Sequence, residues 1–583
     1  MNRALRFTCG VRRFCIAIPL FLLVVVTTPL HAQTSSLLER LPANTVFFAH
    51  WRGMASVTSA EKTNHAVQLF EDPQFAPARE ALLKNLRSNI AKNGPATSEP
   101  ELAEVLSLLD NSAVLGVVLN PGSGTKPAAD AAASPATGFF IVYDAHAKTA
   151  LVEKLRAANR AKGKEVPTVM SYVFQGTKIE ARATGTDVSY TALTPKYYFL
   201  ADQKPVIEDL ISRYGAADKP ADSVTQLPEY QQIRPYVNSD AAVEFFARVP
   251  NFSKILTAEQ LAKPGAKFAE NLHVDRVHVA GGSVSFAGEA VRFRGAMLGD
   301  ASKGTIFDFA GASTPSFITL PVVGPGPIFS ISRYDLAASY QLVRTAAQPF
   351  LAPQQEAAVE MYEKMAQGFL GMSVPEALQL LTGEFSYETT FAEDGSSMNT
   401  FALSIQKPQD ILRILRAVAG GFIVSEDTAG NTTYLDLSFP STDPKTGEKR
   451  RDLYYVAVMP DMIVAAPRKA AARAIVERLN AKAGASTASG VLANPDFLKT
   501  RASFPEKLSG LTVADLSGIP WDQMMAHNRQ QLAEAAKNLP PDNAPQTDWF
   551  SAIPPPVLTR HLKIGILGWW KDANGIYFDS YVQ

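Results

Sequence analysis

The sequence predicts an α+β protein built from two related halves, each an antiparallel or mixed sheet covered by helices in split βαβ-like units. Three observations carry this expectation. Residues 190–204 (YTALTPKYYFLADQK) and 455–469 (YVAVMPDMIVAAPRK) align without a gap, and each places a proline between two apolar strand segments. Each hairpin is followed by a helix, with Ile207, Leu210 and Ile211 on one apolar face and Ala472, Ile475, Val476 and Leu479 on the other. The chain has 583 residues, 46% hydrophobic and 19% charged, which is ordinary globular composition with room for sizeable cores.

Taken in chain order, the first 32 residues read as an export signal. Arg3, Arg6, Arg12 and Arg13 form a basic start, Ile16 to Val26 an apolar run, and Leu30-His31-Ala32 a cleavage site before Gln33. The run is too short for a good membrane span. Cys9 and Cys15 are the two cysteines and leave with the signal, so the mature chain carries neither thiol nor disulfide. Of 56 basic residues 52 remain, against 56 acidic ones. This balance gives no reason to expect nucleic acid as partner. No later stretch reaches 18 uninterrupted apolar residues, so no transmembrane span is expected after cleavage. A periplasmic location fits best, with secretion as the alternative.

The first half is expected over residues 38–305 and the second over 306–583, with a C-terminal subdomain from about residue 511. Strand 138–143 precedes a helix from about Lys148 to Ala161; strand 399–405 precedes a helix from Pro408 to Ala419. Pro408 suits the first helical turn. A strand, a crossover helix and further strands of one sheet give the split βαβ layout, with helices expected on one face. The region Tyr172 to Thr184 adds strands broken by a turn at Gly176. Leu227-Pro-Glu-Tyr230 and Asn494-Pro-Asp-Phe497 follow the two units. Val114 to Leu119 and Phe385 to Phe391 read as matching strands. A helix from about Gln354 to Gly371 should turn Ala358, Met361, Met365 and Leu370 inward. Trp521 to Lys537 reads as another helix. Asn574-Gly575 signals a hairpin turn. Pro121 to Ala136, Ser441 to Arg451, Ala481 to Gly490 and Pro540 to Asp548 read as surface loops or linkers.

The chemical inventory is sparse. After cleavage seven histidines remain, and none forms a His-x-x-x-His or His-Glu-x-x-His pair. His273 and His278, five apart in a strand region, should face opposite ways. No metal site and no cofactor are expected. There is no Gly-x-Ser-x-Gly elbow, and Ser59-Ala-Glu-Lys62 reads as part of a helix cap with Thr58. Gly122 to Lys126 and Gly324-Pro-Gly-Pro327 lack phosphate-loop spacing. Glu384 and Glu388 form a carboxylate pair whose separation the sequence does not fix. Catalytic residues are therefore unassigned.

One constellation points to binding. His50, Trp51 and Arg52 follow an apolar strand, and Arg333, Tyr334 and Asp335 stand in the matching place of the second half. An aromatic beside an arginine at a strand end is placed to meet a ligand or partner. The plainer reading has Trp51 covering the core edge while Arg52 reaches solvent. Trp569 and Trp570 are adjacent, so one faces in and the other out.

The opening Leu41-Pro-Ala-Asn-Thr-Val-Phe47, the repeated hairpin-helix unit and the late strand 575–578 resemble exported bacterial proteins grouped as families of unknown function. Asn44 stands where that pattern usually has Asp. The resemblance implies an envelope location and supplies no catalytic residues. The expected function is a non-enzymatic binding or envelope-associated protein, meeting an unknown protein or small ligand in the cell envelope, with the cleft between the halves as default site. Alternatives are an exported hydrolase with a site assembled from distant polar residues, and a structural or oligomeric envelope component.

Overall fold

The computed structural model describes residues 37–58, 63–93, 104, 106–119, 137–160, 168–184, 187–249, 268, 270–286, 288–301, 304–317, 319, 326–442, 449–481, 490–537 and 552–583. Residues 1–32, read above as an export signal, Ser59 to Lys62, Pro121 to Ala136, Gly324, Pro540 to Asp548 and the middles of the loops after Ser441 and Ala481 lie outside them. No helix among the described residues is long and apolar enough to cross a membrane.

Helices pack against one large antiparallel sheet. The first ten strands are β1 (Thr45–Trp51), β2 (Ala113–Leu119), β3 (Thr137–Asp144), β4 (Thr168–Phe174), β5 (Thr177–Thr184), β6 (Asp187–Leu193), β7 (Tyr197–Ala201), β8 (Val243–Arg248), β9 (Val277–Ser285) and β10 (Val291–Gly299). They lie side by side in the order β4-β5-β6-β7-β3-β2-β1-β8-β9-β10. The other ten are β11 (Ile328–Arg333), β12 (Leu381–Phe391), β13 (Ser397–Ile405), β14 (Ile423–Ala429), β15 (Thr432–Thr442), β16 (Lys449–Val458), β17 (Met462–Ala466), β18 (Gly510–Asp515), β19 (Ile564–Asp572) and β20 (Gly575–Val582). Their order is β14-β15-β16-β17-β13-β12-β11-β18-β19-β20. The two orders are the same, strand for strand. β10 pairs with β20 and joins the two sets into one sheet.

Local chemistry explains the elements. Pro195 and Pro460 sit in the short turns β6–β7 and β16–β17. Gln175 and Gly176 both take positive φ between β4 and β5, the backbone a two-residue hairpin needs. The β19–β20 turn is Ala573–Asn574, with Gly575 already paired to Asp572, so the tight turn lies one residue before the expected Asn-Gly. His273 is left-handed and precedes β9, so only His278 belongs to a strand.

The helices cover both faces of the sheet, not one. The helix Lys204–Gly215 places Ile207, Leu210 and Tyr214 on Phe140, Val142 and Phe199. The helix Thr149–Arg160 instead packs Val152 near Tyr143 and Tyr198. Val142 and Tyr143 are neighbours on one strand and therefore point to opposite faces. The second half repeats this arrangement. Ile475 and Val476 pack on Ala457 and Val464, while Ile411 and Leu412 pack on Leu435 and Val456. The helix Pro353–Leu370 forms as expected, but its stripe faces outward: Met361 is 51% exposed and Met365 47%, with only Leu370 buried. Periodicity identified the stripe without saying whether anything covers it.

The junction between the halves is stitched on both faces. On one, Arg292 Nε and Nη2 donate to the two oxygens of buried Asp579 at 2.9 and 2.5 Å. On the other, Phe293 stacks between Phe245 and Phe578 at 6.0 and 5.1 Å. A second tie joins Asp72 to Arg560 and His561, beside an apolar cluster of Val67, Phe70 and Phe75 with Met525 and Val557.

Candidate functional site

Arg52 and Arg333 occupy the same position in the two halves. The Arg52 backbone N–H donates to Ala242 O just before β8, and that of Arg333 donates to Ser509 O just before β18. Each arginine meets a buried glutamate. Arg52 Nη2 lies 3.1 Å from Glu244 Oε2 on β8, and Nη1 donates to Ser239 O. Tyr230 Oη donates to Glu244 Oε1 at 2.6 Å, so both carboxylate oxygens are held. Burial, then the Glu244 charge, pushes the Tyr230 hydroxyl pKa up.

These groups line a cavity of about 610 Å³ between the ends of β1 and β8 and residues 219–239. His50 and Arg52 line it, together with Ser112, Tyr230 and Glu244 at its floor. Trp51 does not. Its ring points to the opposite face, donates to Leu109 O at 2.7 Å and packs with Met54, Val57 and Phe286.

His50 is 5% exposed, and its Nε2 lies 2.9 Å from Ser112 Oγ. Ser112 Oγ gives its own proton to Trp51 O at 3.0 Å, so the imidazole Nε2–H donates to the serine. His50 Nδ1 has no hydrogen-bond partner among the described residues. This geometry is wrong for nucleophilic catalysis. The serine proton is directed away from the histidine, and no carboxylate among the described residues orients the ring.

Burial, then the Arg52 charge, lowers the His50 pKa to about 3. The folded protein holds this histidine neutral while the unfolded chain protonates it near pH 6.5. The contribution is fully present above pH 6.5. As pH falls from 6.5 towards 3, the unfolded state binds the extra proton and stability declines by roughly 1.4 kcal/mol per pH unit. His50→Asn should lose this component. Urea titrations from pH 7 to 4.5 should show a shallower decline in the variant than in the parent; parallel curves would mean the histidine titrates normally.

In the second half, Arg333 Nε lies 3.5 Å from Glu384 Oε2, a carboxylate on β12 instead of β18. Glu384 Oε1 accepts from the Thr319 N–H and Oγ1. Asp335 caps the helix Leu336–Ala347 by accepting from the Ala338 N–H at 2.9 Å. Tyr334 lies near Trp569, with ring centroids 6.1 Å apart. Arg333, Tyr334 and Asp335 line a separate cavity of about 310 Å³ with Gly311 and Thr382. The structure thus splits the six expected residues: two line one cavity, three the other, and Trp51 joins the core. The larger cavity lies within the first half, where sequence reasoning had favoured a cleft between the halves.

The matched ladders expose a contrast. β1 pairs His50 with Glu244, and β11 pairs Ile331 with Leu511 in the same register. Tyr230 and Phe497 hold the same place in the helices Pro228–Ile233 and Pro495–Arg501. Three polar groups of the first half therefore stand where the second has Ile331, Phe497 and Leu511, which pack together in its core. Sequence reasoning missed Glu244, Tyr230 and Ser112, because strand pairing brings them to His50 from distant segments. A signal existed in Val243-Glu-Phe-Phe-Ala-Arg248: alternation puts Glu244 on the same face as buried Phe246.

Among the described residues, no group of three His, Cys, Asp or Glu side chains could hold a metal ion. Glu384 and Glu388 share one face of β12 and are both buried. Four strand steps separate their Cα atoms by about 13 Å. Different backbone N–H groups hold them, Thr319 for one and Gly326 for the other. They do not face a common space as a glycosidase pair does.

No protein-family model matches the chain, and no curated protein matches it. Among solved structures it is similar to one described as "Structure of crystal form I of TP0453", at 9% identity and a TM-score of 0.23, covering 46% of this chain and 81% of that one.

Proposed function

We propose that this chain is an exported, non-enzymatic binding protein of the bacterial envelope, and that the first-half cavity is its ligand site. The observation that carries the reading is the contrast between His50, Tyr230 and Glu244 and their counterparts Ile331, Phe497 and Leu511. Buried polar groups cost stability relative to well-packed apolar ones. The same architecture uses apolar residues at those three positions in the second half, where Glu384 on β12 serves the arginine instead, so once Arg52 has such a carboxylate the polar set is not needed to form the fold.

The test copies one half into the other. The quadruple variant His50→Ile, Ser112→Glu, Tyr230→Phe, Glu244→Leu, in which residue 112 gives Arg52 the carboxylate that Glu384 gives Arg333, should fold with stability equal to or above the parent and lose whatever small molecule the parent retains. Native mass spectrometry of protein purified from the periplasm, beside urea denaturation, reads both. A variant less stable than its parent would assign the polar set to the fold and remove the proposal.

The export reading rests on residues 1–32 and on the resemblance to exported families. N-terminal sequencing of the periplasmic product should begin at Gln33. The halves 38–305 and 306–583 are read as products of an internal duplication, supported by their common strand order. The stretch from about residue 511 is taken within the second half, where β18 joins β11 to β19. Sequence profiles built from each half alone should each detect the other.

A hydrolase is the second reading, favoured only by the His50–Ser112 contact. Under the binding proposal, Ser112→Ala leaves the hydrolysis of a simple activated ester at its background rate.

A further inference from the structure

The walls of the first-half cavity indicate what it takes. Of fifteen lining residues only Leu38 and Pro220 lack a polar side chain, so a ligand meets hydrogen-bonding groups along most of the wall. Three lining cations, Arg52, Lys219 and Arg234, face two lining carboxylates, Glu39 and Glu244. His50 adds no charge, since it is neutral in the fold. Two ion pairs use both carboxylates: Arg52 with Glu244, and Lys219 with Glu39 at 2.5 Å. Asp222, close to this wall, is held by Arg213. Arg234 makes a hydrogen bond to Val237 O at 3.3 Å and no ion pair with a described carboxylate. The cavity therefore carries one excess positive charge, on a residue with five donors.

The remaining wall is neutral and hydrogen-bonding in both senses. Ser223, Thr225 and Ser239 offer hydroxyls, and Gln226 and Gln231 offer amides. Such groups both donate and accept, as sugar hydroxyls do. Resting on the binding-protein reading above, we infer that this cavity takes a small hydroxyl-rich organic anion, a sugar acid or sugar phosphate, whose charged end lies on Arg234. The carboxylate and phosphate forms share this chemistry. The volume of about 610 Å³ suits a mono- or disaccharide.

Calorimetric titration of the mature protein tests the assignment with four probes: glucuronate, glucose 6-phosphate, glucose and glucosamine. At least one anion should bind tenfold or more tighter than glucose, and glucosamine should bind more weakly still. Glucuronate and glucose 6-phosphate separate the carboxylate and phosphate forms. Arg234→Gln should weaken the anion by roughly 10- to 100-fold, the worth of one charge-assisted hydrogen bond, and weaken glucose by far less. Lys219→Gln, at an exposed position whose loss does not threaten folding, should weaken it less.

Equal binding of glucose and both anions overturns the anion assignment. So does an anion affinity insensitive to Arg234→Gln. A fragment screen by NMR separates the two levels of failure. If cationic or apolar fragments perturb Tyr230 and Glu244 while the anions do not, the ligand class is wrong and the binding reading survives. If no compound of any charge perturbs them, both fall.

Discussion

Asp579→Ala should destabilise the protein by about 3–5 kcal/mol, because it leaves Arg292 without its carboxylate inside the junction of the two halves. Asp579 is 4% exposed at its side chain, Arg292 holds both its oxygens, and Arg294 lies 3.8 Å away. Two guanidiniums would then share a half-buried site with no anion between them. The comparison is Glu289→Ala. Glu289 also pairs across the halves, with Lys499 at 3.4 Å, yet its side chain is 50% exposed and its partner's 70%. That pair should contribute less than about 1 kcal/mol. Urea denaturation followed by tryptophan fluorescence reads both, and similar losses in the two variants would contradict a buried junction.

Gly383→Ala should cost about 3 kcal/mol or more. Gly383 has φ +82° inside the irregular stretch of β12 between Leu381 and Phe385, and its carbonyl accepts from the Tyr334 N–H. A Cβ there would overlap the Tyr334 carbonyl oxygen, a backbone atom that cannot swing aside. The left-handed backbone alone costs about 1–2 kcal/mol for alanine, and the overlap adds an overpacking penalty of about 1–3 kcal/mol. Gly430→Ala isolates the first part. Gly430 has φ +60° and nothing within 4 Å of where a Cβ would stand. It should lose only the conformational share. Equal losses at both positions would mean that β12 and Tyr334 are not held against each other.

Much of the fold was legible because its signals are local. The prolines of the two hairpins, the apolar stripes of the helices Lys204–Gly215 and Lys469–Ala481, and the alternation in β2 and β12 depend on neighbours in sequence. What covers an element is not local. The stripe of Met361 and Met365 has the period of a buried face and lies open to solvent. Helices on both faces follow from the opposite directions of Val142 and Tyr143, which both read simply as apolar. The candidate site was half legible for the same reason. His50 and Arg52 stood out at the end of a strand, with Trp51 turned the other way by alternation. Ser112, Tyr230 and Glu244 reach them only through pairing across more than sixty residues, which no local pattern encodes.

The pairing of β10 with β20 sets an order on biogenesis. β20 begins about 275 residues after β10 ends. At roughly 5–20 residues per second, a ribosome finishes the stretch between them in about 14–55 s. Until then the hydrogen-bonding rim of β10 has no mate, although every other strand of its set has been made. Delayed compaction, or a chaperone that shields this rim, would carry the chain across that interval.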